Sequence, residues 1–250
     1  MSHKPFYILI LICCFLACKE NNNLTKIEGQ RISISDSIQP NEEIETYVKP
    51  FRERIEKDLD SVLAYAVDYY SKTDGHLNTA IGNLMADAVY LEANPIFKKR
   101  VSNEIDLVLL NHGGIRASIP QGNVTTRTAF EVMPFENSVY VVALRGTQVQ
   151  ELVNYLTKAK RAHPIFGLKL VLNEDFTIEY ALINGETIDN ERLYYVATSD
   201  YLFNGGDNMI FFKANDTVYD LNYKIRNVLI DYFKKTDTIS PVIDDRFIQL

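Results

Sequence analysis

The sequence predicts an α+β fold, a single domain in which a mixed sheet packs against helices and which a long amphipathic linker helix precedes. Short segments rich in β-branched and aromatic residues alternate irregularly with helical stripes of apolar residues. In addition, Asn184-Gly185 separates two apolar segments and predicts an antiparallel pair of strands. Because a doubly wound sheet is built mainly from parallel strands, α+β is favoured over that alternative.

The composition limits the classes of protein to which the chain can belong. Of its 250 residues, 46% are hydrophobic and 24% are charged, which argues against a disordered, collagen-like or polytopic membrane chain. The formal net charge is −7, and Lys and Arg form no continuous block. We therefore expect no nucleic acid partner, since phosphate backbones attract basic surfaces.

The first 17 residues have the pattern of a secretory signal peptide. Lys4 precedes an apolar run over 5–17, which is too short to span a membrane. The run ends in Phe-Leu-Ala-Cys at 15–18, which resembles the lipobox of bacterial lipoproteins, so we expect export, lipidation of Cys18 and anchoring to a bacterial membrane. The outer membrane is the expected location, on its periplasmic or outer side, and a Sec signal with an incidental cysteine is the alternative.

A tether and a linker helix are predicted next. The segment 18–41 is polar and has no strong period, as expected of a tether. Apolar residues then recur at spacings of three or four from Ile44 to Val62, which predicts an amphipathic helix over 42–60. The domain itself is expected to cover 61–250.

The first elements of the domain are a strand and a helix. Ser61 to Tyr70 is predicted as a strand. An apolar stripe from Ile81 to Val89 then predicts a helix. Asn78 or Thr79 is its expected N-cap, and Asn94-Pro95 is its expected end.

The rest of the chain mixes strands and helices. Segments rich in β-branched and aromatic residues predict strands at Asp106–Asn111, Ser138–Leu144, Gly167–Leu172, Phe176–Leu182 and Leu193–Thr198. Helical spacing of apolar residues predicts one helix around Val149, Leu152, Val153 and Leu156, and another around Leu221, Ile225, Val228, Leu229, Tyr232 and Phe233.

Several common chemistries have no motif in this sequence. It contains no Gly-x-Ser-x-Gly elbow, no Walker loop and no His-Glu-x-x-His. His76, His112 and His163 are far apart and have no paired spacing, so a zinc site is not expected. The Asp-x-His and Gly-Asn-His patterns of a binuclear phosphoesterase centre do not occur together. We expect no metal and no cofactor in this chain.

Three glycine- or proline-containing turns carry the candidate binding residues. The segment 111–116 runs from an apolar strand into two glycines and Arg116, whose planar fork of donors suits a phosphate or a hydroxyl. Phe135 follows a proline, and Asp207 follows an Asn-Gly-Gly turn, where its carboxylate can accept hydrogen bonds from hydroxyls. Taken singly, each has an ordinary interpretation: a plain turn, a core aromatic and a turn-stabilising Asp.

Together, these segments resemble the C-terminal domain of the 5′-nucleotidase/UDP-sugar hydrolase family. The resemblance covers about Asp60 to Phe212. It depends on Gly-Asn-Leu-x-Ala-Asp-Ala at 82–88, Asn-x-Gly-Gly-Ile-Arg at 111–116 and Asn-Gly-Gly-Asp at 204–207, in this order and spacing. The long helix before the domain also fits the family, in which a helix links two domains.

The resemblance implies a nucleoside-binding site. Phe135 and Tyr201 match the two rings that stack on the base, and Asn111 matches a residue that hydrogen-bonds the base edge. Arg116 matches a residue that reaches ribose and phosphate, and Asp207 matches one that binds the ribose hydroxyls. The implied substrate-binding residues are Asn111, Gly113, Gly114, Arg116, Phe135, Tyr201 and Asp207.

The chain also departs from the family. Tyr201 stands where the family has Phe, and Gly75 stands where it commonly has an Arg of the ribose or phosphate clamp, with His76 as a weak substitute. No segment of the sequence matches the family's metallophosphoesterase domain, so no catalytic residue is assigned.

Three functions are compatible with this pattern. The first is the recognition half of a split exported 5′-nucleotidase for nucleotide catabolism, in which a separate metallophosphoesterase chain carries the divalent metal pair and acts on a nucleoside monophosphate. The second is a stand-alone lipoprotein that binds a nucleoside or nucleotide. The third is a structural subunit with a degenerate pocket.

Overall fold

The structure is a computed structural model that describes residue 24 and residues 26–250. The predicted signal peptide over 1–17, Cys18 and the first part of the tether lie outside the described residues. The chain divides into one unit that ends at Val48 and a second from Lys49 to Leu250. Among the described residues, no helix has the length and apolar character needed to cross a membrane.

The predicted linker helix is present as α1, Glu42–Leu59. Asn41 begins it, because its side-chain Oδ1 accepts hydrogen bonds from the backbone N–H groups of Glu43 and Ile44. Acidic residues occupy its first turn and Lys57 its last turn, as the helix dipole favours.

Twelve strands form three sheets in the described part of the chain. Their bounds are β1 Val62–Ala66, β2 Leu107–Leu109, β3 Gly122–Thr125, β4 Ser138–Arg145, β5 Ile165–Phe166, β6 Leu168–Leu172, β7 Ile178–Ile183, β8 Glu186–Thr187, β9 Leu193–Ser199, β10 Thr217–Lys224, β11 Thr238–Ile239 and β12 Phe247–Gln249. The sheet orders are β11-β1-β3, β10-β4-β9-β2-β5 and β12-β6-β7-β8. Each sheet contains parallel and antiparallel pairs. The α+β prediction is therefore confirmed.

Five further α-helices pack with these sheets in the described residues. They are α2 Ala80–Val101, α3 Thr126–Val132, α4 Gly146–Ala159, α5 Asp200–Phe203 and α6 Ile225–Lys235. Thr79 is the N-cap of α2, since its hydroxyl accepts a hydrogen bond from the backbone N–H of Gly82 at 3.2 Å. The antiparallel pair predicted at Asn184-Gly185 is present as β7 and β8, and both turn residues have positive φ.

The predicted end of the second helix is wrong. Helix α2 continues through Pro95 to Val101 and ends at Ser102, which has a left-handed φ of 62°. A proline inside a helix costs about 3 kcal/mol or more because it removes a backbone hydrogen bond. Tertiary packing offsets this cost, since Phe97 is fully buried and its ring lies 5.1 Å from that of Tyr195 and 5.4 Å from that of Tyr219.

Other boundaries also differ from the prediction. The first strand is shorter than Ser61–Tyr70, because β1 ends at Ala66 and Tyr70 forms only an isolated bridge with Ile119. Leu221 belongs to β10, which pairs with β4, and the last predicted helix begins at Ile225. The apolar residues of a strand and of a helical stripe can coincide over a few positions, so spacing alone does not separate the end of β10 from the helix.

The inner strands of the central five-stranded sheet are buried on both faces, whereas the edge strand β10 is largely exposed. Along β2 and just beyond it, Val108 and Leu110 pack into one apolar core, whereas Leu107 and Leu109 pack into the other. Helices α2 and α6 contribute to the first core. Helix α4 and residues of the β12-β6-β7-β8 sheet contribute to the second. In the described part of the chain, a ligand can therefore approach the inner strand β2 at its end.

Candidate functional site

The three predicted turns meet at one edge of the central sheet. Strands β2 and β9 are parallel neighbours, and β4 runs antiparallel to β9 with Val139 opposite Ser199. The carboxyl ends of β2 and β9 therefore lie beside the start of β4. The segment after β2, the segment before β4 and the segment after β9 are the three turns that the sequence singles out.

These turns enclose a cavity of about 300 Å³. It is lined by Asn111, Gly113, Gly114, Arg116, Met133, Phe135, Asn137, Tyr201 and Asp207. All seven residues predicted to bind substrate are among them. Sequence reasoning did not assign Met133 and Asn137. Asn137 could have been found, because it lies two residues after Phe135 and alternate residues of an extended segment share a side.

Two aromatic rings of the cavity are half-exposed. Phe135 is 40% exposed and Tyr201 is 45% exposed. The interpretation of Phe135 as a core aromatic is therefore wrong. The ring of Tyr201 lies so close to Gly206 that a Cβ atom added there would be 2.4 Å from Tyr201 Cε1. The guanidinium carbon of Arg116 lies 5.7 Å from the ring centre of Phe135. Planar aromatic ligands have stacking surfaces on both rings.

Three side chains hold Asp207 in place. The side-chain amide of Asn111 donates to Asp207 Oδ2, and the hydroxyl of Tyr201 donates to Asp207 Oδ1, both at 2.9 Å. The hydroxyl of Tyr155 donates to the backbone carbonyl of Asp207, also at 2.9 Å. The hydrogen bond to Asp207, together with burial, raises the pKa of Tyr201, so its phenol remains protonated and donating.

The glycine turn after β2 is anchored by a buried histidine. The backbone N–H of His112 donates to Nδ1 of His163 at 3.3 Å, and His163 is only 4% exposed. Burial lowers the pKa of His163 to about 4, so the imidazole is neutral and can accept this hydrogen bond. The turn also depends on Gly114, where an added Cβ would lie 2.9 Å from Oδ1 of Asn111. No sequence signal indicated this role of His163.

The structure does not support the expectation that His76 substitutes for the missing Arg at Gly75. A Cβ at Gly75 would lie 2.0 Å from the backbone carbonyl oxygen of Asn78, so a larger side chain requires a shift of the backbone. His76 is not among the residues that line the cavity, and its ring packs edge-on against Phe176 at 6.3 Å. Lys72 does not line the cavity either, but its ammonium donates to the carbonyl of Ile115 at 2.9 Å, at the end of the glycine turn.

The motif at 82–88 forms a different polar cluster, which we call the Arg246 cluster: Asn78, Asn83, Asp87, Asp244 and Arg246. Arg246 donates to the carboxylates of Asp87 at 2.8 Å and of Asp244 at 2.7 Å. Asn83 donates to the carbonyl of Val242 at 2.9 Å and to the side chain of Asn78 at 3.1 Å. The motif therefore fastens the C-terminal segment to helix α2.

The donor set of the described residues does not fit a metal pair. The triplet Asp74-Gly75-His76 has Asp-x-His spacing, but in residues 24 and 26–250 no three His, Cys, Asp or Glu side chains come together as ligands of one ion. No reaction step through a metal is therefore derived for these residues.

Comparisons with known proteins agree with this geometry. The family model described as 5′-nucleotidase, C-terminal domain, matches residues 61–214. The chain is 26% identical over 242 residues to an apyrase of Tabanus yao, covering 88% of this chain and 44% of the apyrase. It is 25% identical over 233 residues to the trifunctional nucleotide phosphoesterase protein YfkN of Bacillus subtilis, covering 86% of this chain and 16% of that protein.

Solved structures show the same fold. A 5′-nucleotidase precursor from Thermus thermophilus superposes with a TM-score of 0.68 at 22% identity, over 83% of this chain and 42% of that one. The chain thus spans less than half the length of these relatives. Because the family model matches more than half of the chain, the chain belongs to the family of 5′-nucleotidase C-terminal domains.

Proposed function

We propose that this chain is the nucleotide-recognition half of a split, exported 5′-nucleotidase. In this proposal it binds the nucleoside part of a nucleoside monophosphate, and a separate metallophosphoesterase chain hydrolyses the phosphate ester. The observation that carries the proposal is the cavity between Phe135 and Tyr201, which has half-exposed rings and a positioned carboxylate at Asp207.

Each part of the cavity suits one part of the ligand. The two rings can stack on a base, and stacking is worth roughly 1–3 kcal/mol per base. Asn111 donates its amide N–H to Asp207 and has its amide oxygen to accept a hydrogen bond from a base edge. Asp207 accepts from ribose hydroxyls, whereas Arg116 supplies positive charge for the ribose-phosphate end. Lys72 does not line the cavity, but it adds a second positive charge beside Ile115, the neighbour of Arg116 in the chain.

The proposal assigns binding to this chain and hydrolysis to a partner chain because of the chemistry available to the described residues. They can bind, orient and desolvate a nucleotide, but they do not fit the metal pair on which the family's hydrolysis depends. The chain spans only 44% of the length of the apyrase, and the family model that matches it is that of the C-terminal domain. In the proposal, the chemistry that activates water therefore comes from the partner chain.

The proposed location is the surface of a bacterial membrane. The signal peptide over 1–17 is removed, Cys18 carries the lipid, and the polar tether over 18–41 separates the domain from the membrane. An outer-membrane lipoprotein of this type meets extracytoplasmic nucleotides and is positioned to pair with an exported phosphatase.

The proposal is tested by binding and by reconstitution. Calorimetric titration of the chain with adenosine and AMP measures recognition, and AMP hydrolysis is then measured with an exported metallophosphoesterase, with the chain present and absent. We expect binding by the chain alone and metal-dependent hydrolysis that rises when the chain is added. Phe135→Ala should reduce both, whereas Phe130→Ala, a ring of similar exposure under Arg226 and outside the cavity, should reduce neither.

The other outcomes identify the competing functions. Binding with neither a complex nor faster hydrolysis would indicate a stand-alone nucleoside-binding lipoprotein, for which the completeness of the Asp207 network within this chain is the supporting observation. Absence of binding would indicate a structural subunit and would overturn the proposal.

A further inference from the structure

Tyr201 has a hydroxyl that the phenylalanine found at this position in the family lacks. It donates to Oδ1 of Asp207, while the amide of Asn111 donates to Oδ2. We infer that Tyr201 is a positioning residue whose hydroxyl aims the Asp207 carboxylate at the cis-diol of ribose, so that the cavity selects ribonucleosides over deoxyribonucleosides. This inference rests on the proposed nucleoside-binding function and adds the sugar specificity of the site.

The first step of the argument concerns the number of acceptor positions. A carboxylate has about four lone-pair positions, two on each oxygen. Tyr201 uses one position on Oδ1, and Asn111 uses one on Oδ2. Each oxygen keeps one position for a ligand, so the carboxylate presents two acceptors side by side. The two hydroxyls of a ribose cis-diol are two neighbouring donors that match them.

The second step concerns orientation. The terminal torsion of an Asp side chain has a broad energy profile, so an Asp carboxylate held on one side only can rotate. Here Tyr201 on α5 and Asn111 after β2 hold opposite oxygens from different elements. The direction of the two remaining acceptor positions is therefore set before a ligand arrives, which lowers the entropy lost on binding.

The third step concerns the support beneath the carboxylate. The backbone of Asp207 has a left-handed φ of 50°, which is uncommon for residues other than glycine although Asp tolerates it better than most. The hydroxyl of Tyr155 provides part of that support through the carbonyl of Asp207. Gly206 lies under the ring of Tyr201, so the ring cannot move towards the turn. Ring, hydroxyl and carboxylate thus form one unit.

The consequence is a difference between two sugars. A ribonucleoside can donate to both remaining acceptor positions, whereas a 2′-deoxyribonucleoside leaves one positioned carboxylate oxygen without its donor. A binding site built to accept a hydroxyl discriminates against ligands that lack it, because its own polar group is then left unpaired. Removal of the Tyr201 hydroxyl should leave the stacking ring in place and weaken only this discrimination.

The test compares adenosine and 2′-deoxyadenosine by calorimetric titration of the unmodified chain and of Tyr201→Phe. We expect the unmodified chain to prefer adenosine by about tenfold, the size expected for one partly exposed hydrogen bond to a charged group. In Tyr201→Phe, the adenosine affinity should fall so that the preference is about threefold or less, while the 2′-deoxyadenosine affinity changes by less than about twofold.

Two controls separate this role from a structural one. Tyr180→Phe removes a hydroxyl from a similarly exposed tyrosine in β7, on a sheet that contributes no residue to the cavity, and should leave the preference unchanged. Asp207→Asn should abolish the preference in both Tyr201 backgrounds. A preference that Tyr201→Phe leaves intact, or an equal loss for both sugars, would overturn the inference while the proposed function stands. No binding of either nucleoside by the unmodified chain would overturn both.

Discussion

The cavity and the Arg246 cluster are both polar sites built on motifs of the sequence, and they differ in how their polar groups are used. In the Arg246 cluster, Arg246 is 16% exposed at its side chain and donates to two carboxylates and a backbone carbonyl. In the cavity, Phe135 and Tyr201 are 40% and 45% exposed, and the carboxylate of Asp207 keeps acceptor capacity towards the opening. A cavity of about 320 Å³ also borders the Arg246 cluster, but there the polar groups are hydrogen-bonded to one another and to the C-terminal segment. The difference therefore lies in the hydrogen-bonding capacity that remains for a ligand.

The comparison shows that a specific motif does not by itself indicate a binding role. The motif at 82–88 contributes to the family resemblance together with the motif at 111–116, but the side chains of its Asn83 and Asp87 are hydrogen-bonded to the C-terminal segment. What separates the two is burial together with the remaining hydrogen-bonding capacity. Substitutions in the Arg246 cluster should therefore change stability, and substitutions in the cavity should change binding.

The largest expected effect is on the Arg246 cluster. Arg246→Ala leaves the carboxylates of Asp87 and Asp244 without their shared cation, and breaking a buried ion pair from one side costs about 3–5 kcal/mol. Because both carboxylates are partly exposed, we expect a loss of about 3 kcal/mol in the free energy of unfolding by urea. Arg145→Ala breaks an exposed ion pair with Asp216 and should cost less than about 1 kcal/mol. Equal losses would show that the Arg246 cluster contributes no more to stability than an exposed ion pair does.

The two regions should also differ in how their contribution to the free energy of unfolding depends on pH. Burial lowers the pKa of His163 from 6.5 to about 4, so between these values the unfolded chain binds a proton that the native chain does not. Stability is therefore complete above pH 6.5 and decreases as the pH falls towards 4, by roughly 3 kcal/mol. His163→Asn should flatten this slope in urea unfolding measured from pH 7 to pH 4.

The Arg246 cluster should respond only at lower pH. Burial alone would raise the pKa of Asp244, but its hydrogen bonds with Arg246 outweigh burial and hold that pKa below 3.8. A depressed carboxyl pKa adds stability that is lost only as the pH falls below the ordinary value. Burial also lowers the pKa of His112 in the same turn, so a part of the slope should remain in His163→Asn. A slope between pH 6.5 and pH 4 that is unchanged in His163→Asn would show that His163 is not its source.

A smaller effect is expected at the floor of the cavity. In Gly206→Ala, the new Cβ would meet the ring of Tyr201 at 2.4 Å. Since Tyr201 is half-exposed, its ring can move outwards, so the cost should appear mainly in ligand affinity. We expect adenosine binding to weaken about tenfold, which corresponds to about 1.4 kcal/mol. The midpoint of urea unfolding should change little, and a large fall in that midpoint with unchanged affinity would contradict the assignment.

The smallest expected effect concerns phosphate. Lys72 places its ammonium at the carbonyl of Ile115, next to Arg116 in the chain. Lys72→Ala should weaken AMP binding by about threefold and leave adenosine binding unchanged, because an exposed charge pair contributes modestly. Lys158→Ala, an exposed lysine of α4, is the matched control. The ratio of AMP to adenosine affinity is the measured quantity, and a ratio unaffected by Lys72→Ala would exclude the residue from the phosphate end.

Much of the cavity could be predicted from the sequence because its signals are local. Asn184, Gly185 and, in the Asn-Gly-Gly turn before Asp207, Gly205 have positive φ, which glycine and asparagine accept readily. Asn204 and Gly206 do not have it. Thr79 caps α2 through a hydrogen bond to a residue only three positions away. All seven predicted binding residues line one cavity because the family motifs place them at the ends of neighbouring strands.

The remaining features depend on contacts between distant parts of the chain. The continuation of α2 through Pro95 depends on the burial of Phe97 against β9 and β10. The contact of Lys72 with Ile115 spans 43 positions, and that of Arg246 with Asp87 spans 159. The energies of such contacts depend on burial and on the direction of each donor. Residue spacing along the sequence predicts neither. The sequence by itself determined the fold class and seven of the nine residues that line the cavity, whereas only the tertiary structure decided which polar motif keeps hydrogen-bonding capacity for a ligand and which uses it to hold the chain together.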